Sequence, residues 1–168
     1  MNDIDYKQLK IGDKAPIFKA ESTNQSISLA DYKGKYLVLY FYPKDMTPGC
    51  NVQANEFSEL YDKFKKIDVE IIRLSRDNMS SHHNFCEKEN IVFPLIADTG
   101  GKICKLYGVL KEKMNFGKKY VGIVRSTFII GKDQIIHKTW YNVKASGHAS
   151  KVLNVIEALK EMDKVTDV

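Results

Sequence analysis

No run of this chain approaches the roughly 18 apolar residues of a membrane span, so no contact with a membrane is expected. The opening segment, Met1 to Lys7, is polar and carries acids. It has no apolar core of signal-peptide length, and a cytoplasmic location is the expectation. Cysteine is scarce: Cys50, Cys86 and Cys104 make an odd count. An odd count argues against a disulfide-stapled secreted scaffold. No Cys-x-x-Cys pair occurs, which removes the usual two-thiol redox site. In a reducing compartment, thiols not buried for packing tend to be catalytic, redox-sensing or metal-binding. Metal-ligand spacing is thin. His83-x-x-Cys86 is half a pair with no second pair at a suitable distance, so no metal is expected. Solvated or capping roles are expected for His82, His83, His137 and His148. Repeats, low-complexity tracts and linkers are missing as well. The 168 residues therefore read as one domain, 1–168, long enough for a substantial core.

What is present is an ordinary folded composition. The chain is 43% hydrophobic and 28% charged, which sets it apart from disordered sequences. Part of its +5 net charge sits in Lys111-Glu-Lys-Met-Asn-Phe-Gly-Lys-Lys119. Only Phe116 interrupts this stretch with an aromatic ring, and it holds no arginine fork. A solvated loop is expected there rather than a nucleic-acid surface.

Periodicity supplies the elements. Residues 9–30 form an entry segment with short strands, closed by a turn at Asp31-Tyr-Lys-Gly34. Lys35 to Tyr42 is a continuous apolar strand, as burial on both faces requires. Phe57, Leu60, Tyr61 and Phe64 recur at i, i+3, i+4 and i+7, giving a helix over about 51–66. Val69 to Ser75 is a second strand, and strand, helix, strand at this spacing is a parallel βαβ unit. Asp77 is a candidate N-cap for a helix over roughly 78–89, with Met79, His82, His83 and Cys86 on one face. Phe93 to Ala97 is a short extended piece. Gly101 to Tyr107 is a short helix with Ile103, Leu106 and Tyr107 inward. Val121 to Ile130 and Ile135 to Tyr141 are antiparallel strands around a turn. The last helix spans about 149–162. The order gives an α/β domain of the thioredoxin type, a central mixed β-sheet flanked by helices.

The chemistry concentrates at Phe41-Tyr-Pro-Lys-Asp-Met-Thr-Pro-Gly-Cys50. Cys50 follows a Pro-Gly pair between a buried strand and a helix. Unpaired N–H groups and partial positive charge at a helix start favour a thiolate, the reactive form of cysteine. Thr47 lies three residues earlier with a hydroxyl that can donate or accept. Pro43 and Pro48 stiffen the loop and remove two backbone donors. A cation nearby would hold the thiolate. Arg125 is the candidate, because an arginine in an otherwise apolar strand is costly unless paired.

Pro43-x-x-x-Thr47-x-x-Cys50 resembles the active-site pattern of the peroxiredoxins. Residues 40–50 are similar to the bacterioferritin-comigratory, or Q-type, subfamily. The similarity continues through Leu9 to Pro16, Leu29 to Lys35, Ser75-Arg-Asp, Phe93-Pro-Leu, Tyr107-Gly-Val, Arg125-Ser-Thr-Phe128 and Gly147-His-Ala. The resemblance implies a cofactor-free thiol peroxidase with Cys50 as the peroxidatic cysteine. Thr47 and the Cys50 N–H would bind the peroxide, Arg125 would support the thiolate and the O–O bond, and Pro43 would shield the pocket. One departure stands out. Many members carry a second cysteine five positions after the first, and here that position is Asn55. Another branch places its resolving cysteine on the following long helix, and Cys86 fits that placement. Cys104 matches no resolving position and is expected to be packed and inert.

The implied activity is reduction of hydrogen peroxide and organic hydroperoxides, with a Cys50–Cys86 disulfide recycled by thioredoxin in a monomeric enzyme. Two alternatives use the same sulfenic acid: a one-cysteine peroxidase recycled by an external thiol, and a peroxide-sensing relay that oxidises a partner.

Overall fold

Strand β3 (Tyr36–Phe41) is buried at all six positions and organises the molecule. The computed structural model describes residues 7–166, so the expectations resting on residues 1–6 lie outside the described residues. β3 is the middle strand of a five-stranded sheet ordered β5-β4-β3-β8-β9. On one side it pairs in parallel with β4 (Val69–Ser75), Tyr36 opposite Val69. On the other it pairs antiparallel with β8 (Ser126–Ile130), Leu37 opposite Ile130. β5 (Leu95–Ala97) extends the parallel half, and β9 (Ile136–Trp140) the antiparallel half. Pairing on both edges, with cover on both faces, explains why β3 reads as an unbroken apolar run.

Alternation along the central strands builds two cores. Leu37, Leu39 and Phe41 face one side with Ile72, Leu74 and Phe128. That side is closed by an N-terminal hairpin, β1 (Lys19–Glu21) with β2 (Ser26–Ser28), and by α3 (Lys102–Leu106). Tyr36, Val38, Tyr40 and Tyr42 face the other side. There they meet α1 (Pro48–Lys66), α2 (Met79–Glu89) and α4 (His148–Thr166). Phe57 of α1 stacks on Tyr40 with centroids 4.6 Å apart. Its complete burial contributes roughly 1.5–3 kcal/mol.

Several elements differ from the sequence expectation. α1 begins at Pro48, three residues early, with Thr47 as an extended N-cap. Proline at the first helical position has a suitable φ and lacks only a donor that the helix would leave unpaired. α2 is capped by Asn78, whose side chain accepts from Ser81 N at 2.8 Å, and not by Asp77. Its buried face carries His82 and Phe85, while His83 is exposed. Leu106 points outward, and Ile103 and Cys104 hold α3 to the core. The lysine-rich stretch is not a loop. It forms an antiparallel hairpin of β6 (Leu110–Asn115) and β7 (Lys118–Ile123). The expected strand 121–130 is consequently broken at Val124 and Arg125.

Candidate active site

Cys50 occupies the third position of α1, with Thr47 as N-cap, and is fully buried. Arg125 reaches it from the break between β7 and β8. Ser126 pairs with Phe41, which brings Arg125 alongside the end of β3, where the Pro43–Thr47 loop begins. Arg125 Nη2 donates to Cys50 Sγ at 3.3 Å, and Nη1 donates to Gln53 Oε1 at 2.6 Å. One guanidinium thus spans the sulfur and a side chain one helical turn further on. Gly49 makes the approach fit: a Cβ there would lie 3.2 Å from Nη2. Cationic donors and the helix start act on Sγ together, and both stabilise negative charge on sulfur.

Thr47 and Pro43 sit on the loop in front. Thr47 Oγ1 donates to Lys44 O at 3.0 Å, which closes the turn and leaves its lone pairs open to a donor. Pro43 is exposed and lines a cleft of about 620 Å³ together with Arg125, Lys113, Met114, Tyr120 and Asn142. The structure therefore brings Cys50 and Arg125 into contact, with Pro43 on the cleft that Arg125 also lines. Met46 has φ of 61°, a left-handed conformation that costs a non-glycine residue about 1–3 kcal/mol.

That strained loop is held by a network the sequence reading missed. Asp45 N donates to Asp77 Oδ2 at 2.7 Å. The buried Asp45 carboxylate accepts from Ser81 Oγ at 2.9 Å and from the Tyr42 hydroxyl, and contacts His82 Nδ1 at 2.7 Å. Burial pushes this carboxyl up, but the hydrogen bonds from His82, Tyr42 and Ser81 outweigh it and hold it below the usual range. His82 Nε2 meets Ile96 O at 2.8 Å. His82 is therefore a buried tie between loop, helix and sheet, not a solvated histidine. His148 also corrects the solvated reading. It is buried, its Nε2 lies 2.8 Å from Thr127 Oγ1, and burial lowers it to about 4.

Cys86 lies on α2, half-buried, at the margin of the apolar cluster that contains Cys50. Both thiols are free. Burial pushes the Cys86 thiol up, with Thr23 and Arg73 opposing. Cys104 is fully buried behind the opposite face of the sheet. Burial and then Asp98 push its thiol far up. Among the described residues no cluster of three or more metal-ligating side chains occurs, and no helix is long and apolar enough to cross a membrane.

A cysteine at a helix start beneath an arginine, on this sheet order, is the setting in which likeness to known proteins becomes informative. The sequence profile of the AhpC/TSA family matches residues 11–139. The chain belongs to the AhpC/TSA family. Within that family its relatives are peroxiredoxins. It is 42% identical to peroxiredoxin Bcp of Bacillus subtilis over 154 residues, covering 91% of this chain and 98% of that one. It is 40% identical to a putative peroxiredoxin bcp of Coxiella burnetii over 86% of this chain and 97% of the relative. Among solved structures it resembles a cysteine variant of Xylella fastidiosa PrxQ, with TM-score 0.86 and 38% identity over 90% of this chain and 98% of that one. It also resembles the Xanthomonas campestris bacterioferritin comigratory protein, described in terms of its alkyl peroxide reduction, with TM-score 0.81 and 36% identity over 85% and 92% of the two chains. The mixed sheet flanked by helices is the thioredoxin-like fold of these peroxiredoxins.

Two features of this peroxiredoxin's site were illegible in its sequence. Gln53 anchors the Arg125 fork, a role that no local pattern in the sequence marks. Arg73 is wholly buried on β4 with its guanidinium carbon 3.7 Å from the Tyr42 ring centroid and 4.4 Å from that of Phe85. A charged residue among apolar strand residues is the sequence signal that Arg73 shares with Arg125.

Proposed function

We propose that Cys50 reduces hydrogen peroxide and organic hydroperoxides, that Cys86 resolves the oxidised sulfur, and that thioredoxin returns the disulfide to two thiols. The observation that carries this reading is the Arg125 Nη2 contact with Cys50 Sγ at 3.3 Å, at the first turn of α1. The Cys50 thiolate attacks one peroxide oxygen as the O–O bond breaks. The other oxygen leaves with the bonding pair, takes a proton, and departs as water or alcohol. Cys50 is then a sulfenic acid. Arg125 and the Cys50 N–H are the donors available to the peroxide, the Thr47 oxygen can accept from a peroxide O–H because its own proton goes to Lys44 O, and Pro43 limits water at the mouth.

In the second step the Cys86 thiolate attacks the Cys50 sulfur. Hydroxide leaves, is protonated to water, and a disulfide remains. Cα atoms must come within roughly 7 Å for that bond. Cys50 is locked in the first turn of α1, while Cys86 is near the end of α2. One or both turns therefore unwind after oxidation, as helix ends do most readily. A thioredoxin dithiol then reduces the disulfide by exchange.

The enzyme works as a monomer in a reducing, cytoplasmic compartment. The odd thiol count suits that compartment. The exposed large apolar side chains, such as Ile17, Val92, Phe116 and Met162, are spread over separate parts of the fold. A steady-state peroxidase assay with thioredoxin and its reductase tests the scheme. Wild type should turn over, Cys50→Ser should be inactive, and Cys86→Ser should stall after one oxidation. Normal recycling of Cys86→Ser would replace the scheme by a one-cysteine peroxidase.

A further inference from the structure

Arg73 has no part in the cycle above, yet its surroundings are unusual. Its Nε, Nη1 and Nη2 make no well-aligned hydrogen bond, although the Tyr40 hydroxyl interacts with the guanidinium, and its side chain is completely buried. A guanidinium has five N–H donors and does not give up its charge in a protein. Burying it unpaired is costly. Ring faces offset part of that cost, chiefly Tyr42 at 3.7 Å and Phe85 at 4.4 Å. Rings do not replace the hydrogen bonds that water would give. Phe85 is the contact with α2, and it is the residue before Cys86.

α2 is held unequally along its length. Its first turns are tied by the Asn78 cap, by Ser81 to Asp45, and by His82 to Asp45 and Ile96. Its second half has Phe85 seated on the unpaired cation. It ends at Asn90, a left-handed C-cap, where Asn90 N and Ile91 N both turn back to Cys86 O.

We propose that Arg73 is a positioning residue for the resolving step: its unpaired guanidinium keeps the Phe85–Cys86 half of α2 weakly seated, so that Cys86 can lift towards Cys50. Lifting Phe85 admits water to the guanidinium. Hydration of those donors offsets the loss of Phe85 burial, while the Asp45–His82 tie keeps the start of α2 in place. Arg73 acts through α2 and does not touch the peroxide. The inference rests on the reading of Cys86 as the resolving thiol.

Arg73→Met keeps a flexible side chain and removes the charge, and Arg73→Leu serves if methionine packs poorly. Rapid-quench mass spectrometry should show the first oxidation of Cys50 slowed by less than the linkage step, because the Arg73 charge also acts on Cys50 electrostatically without touching it. Formation of the Cys50–Cys86 linkage should slow by about tenfold, the size expected when one buried unsatisfied group is relieved. Sulfinic acid should accumulate at Cys50. Hydrogen exchange of the amides at 84–89 in the reduced protein should slow by a similar factor, and the thermal midpoint should not fall. A purely structural arginine would move these last two readouts the other way. Unchanged or faster exchange at 84–89, with normal linkage in the wild type, overturns the inference alone. Absence of the linkage in the wild type overturns the resolving role of Cys86 and, with it, the positioning role of Arg73.

Discussion

Replacing Arg125 by alanine should slow the first oxidation of Cys50 by about 10- to 150-fold. The estimate follows from one contact: Nη2 donates to Sγ at 3.3 Å from a half-buried guanidinium. A hydrogen bond involving a charged group contributes about 1.5–3 kcal/mol. At about 1.4 kcal/mol per factor of ten, that range gives the stated loss. Arg125→Lys should keep most of the defect. An ammonium has no planar fork to engage both Sγ and Gln53 Oε1, now 2.6 Å from Nη1. The assay is a single turnover at pH 7, quenched and read by intact mass, with iodoacetamide alkylation as a peroxide-free measure of thiolate. Both rates should fall in Arg125→Ala. A first oxidation within about twofold of wild type would refute the role of this guanidinium.

Gln53→Ala frees one arm of the fork and should lower the same rate by roughly the worth of one hydrogen bond, about five- to tenfold. Gly49→Ala should lower it several-fold, because Nη2 must retreat from a Cβ at 3.2 Å, while the thermal midpoint holds or rises with the better helix former. His148 stays neutral in the fold down to about 4, whereas its unfolded form takes up a proton below about 6.5. Stability should therefore fall as pH drops from about 6.5 to 4, by up to ~3 kcal/mol, and urea melts of His148→Gln should lose most of that dependence. Cys104→Ala should leave turnover intact and cost about 1 kcal/mol in urea unfolding, since the thiol only fills a core position; a block in thioredoxin-dependent recycling would make Cys104 the resolver instead.

The central strands were legible because physics leaves one reading for them. β3 is apolar at every position, and only a doubly covered strand tolerates that. The Cys50 loop was legible from its turn chemistry. What escaped was set by partners distant in the chain. Phe116 and Gly117 turn the β6–β7 hairpin with φ of 52° and 76°, but Asn-Phe-Gly-Lys lacks the usual Asn-Gly signal. Both faces of that hairpin carry lysines, so no alternation marks it. His82 reads as a solvated or capping histidine, because its partner Asp45 lies 37 residues away in the chain. Arg73 broke the apolar pattern of β4 without a local cue that rings of Tyr42 and Phe85 would enclose it. The Arg125–Cys50 pair spans 75 residues, and composition could only suggest it.

In the proposed cycle the Cys50 sulfur is the atom the peroxide meets. This assignment is tested most directly by treating Cys86→Ser with one equivalent of hydrogen peroxide in the presence of dimedone, which traps sulfenic acids, and mapping the adduct by peptide mass. One adduct is expected, on Cys50, formed within the first turnover and absent from the Cys50→Ser protein. An adduct on Cys104, or equal oxidation of the Cys50→Ser protein, would contradict it.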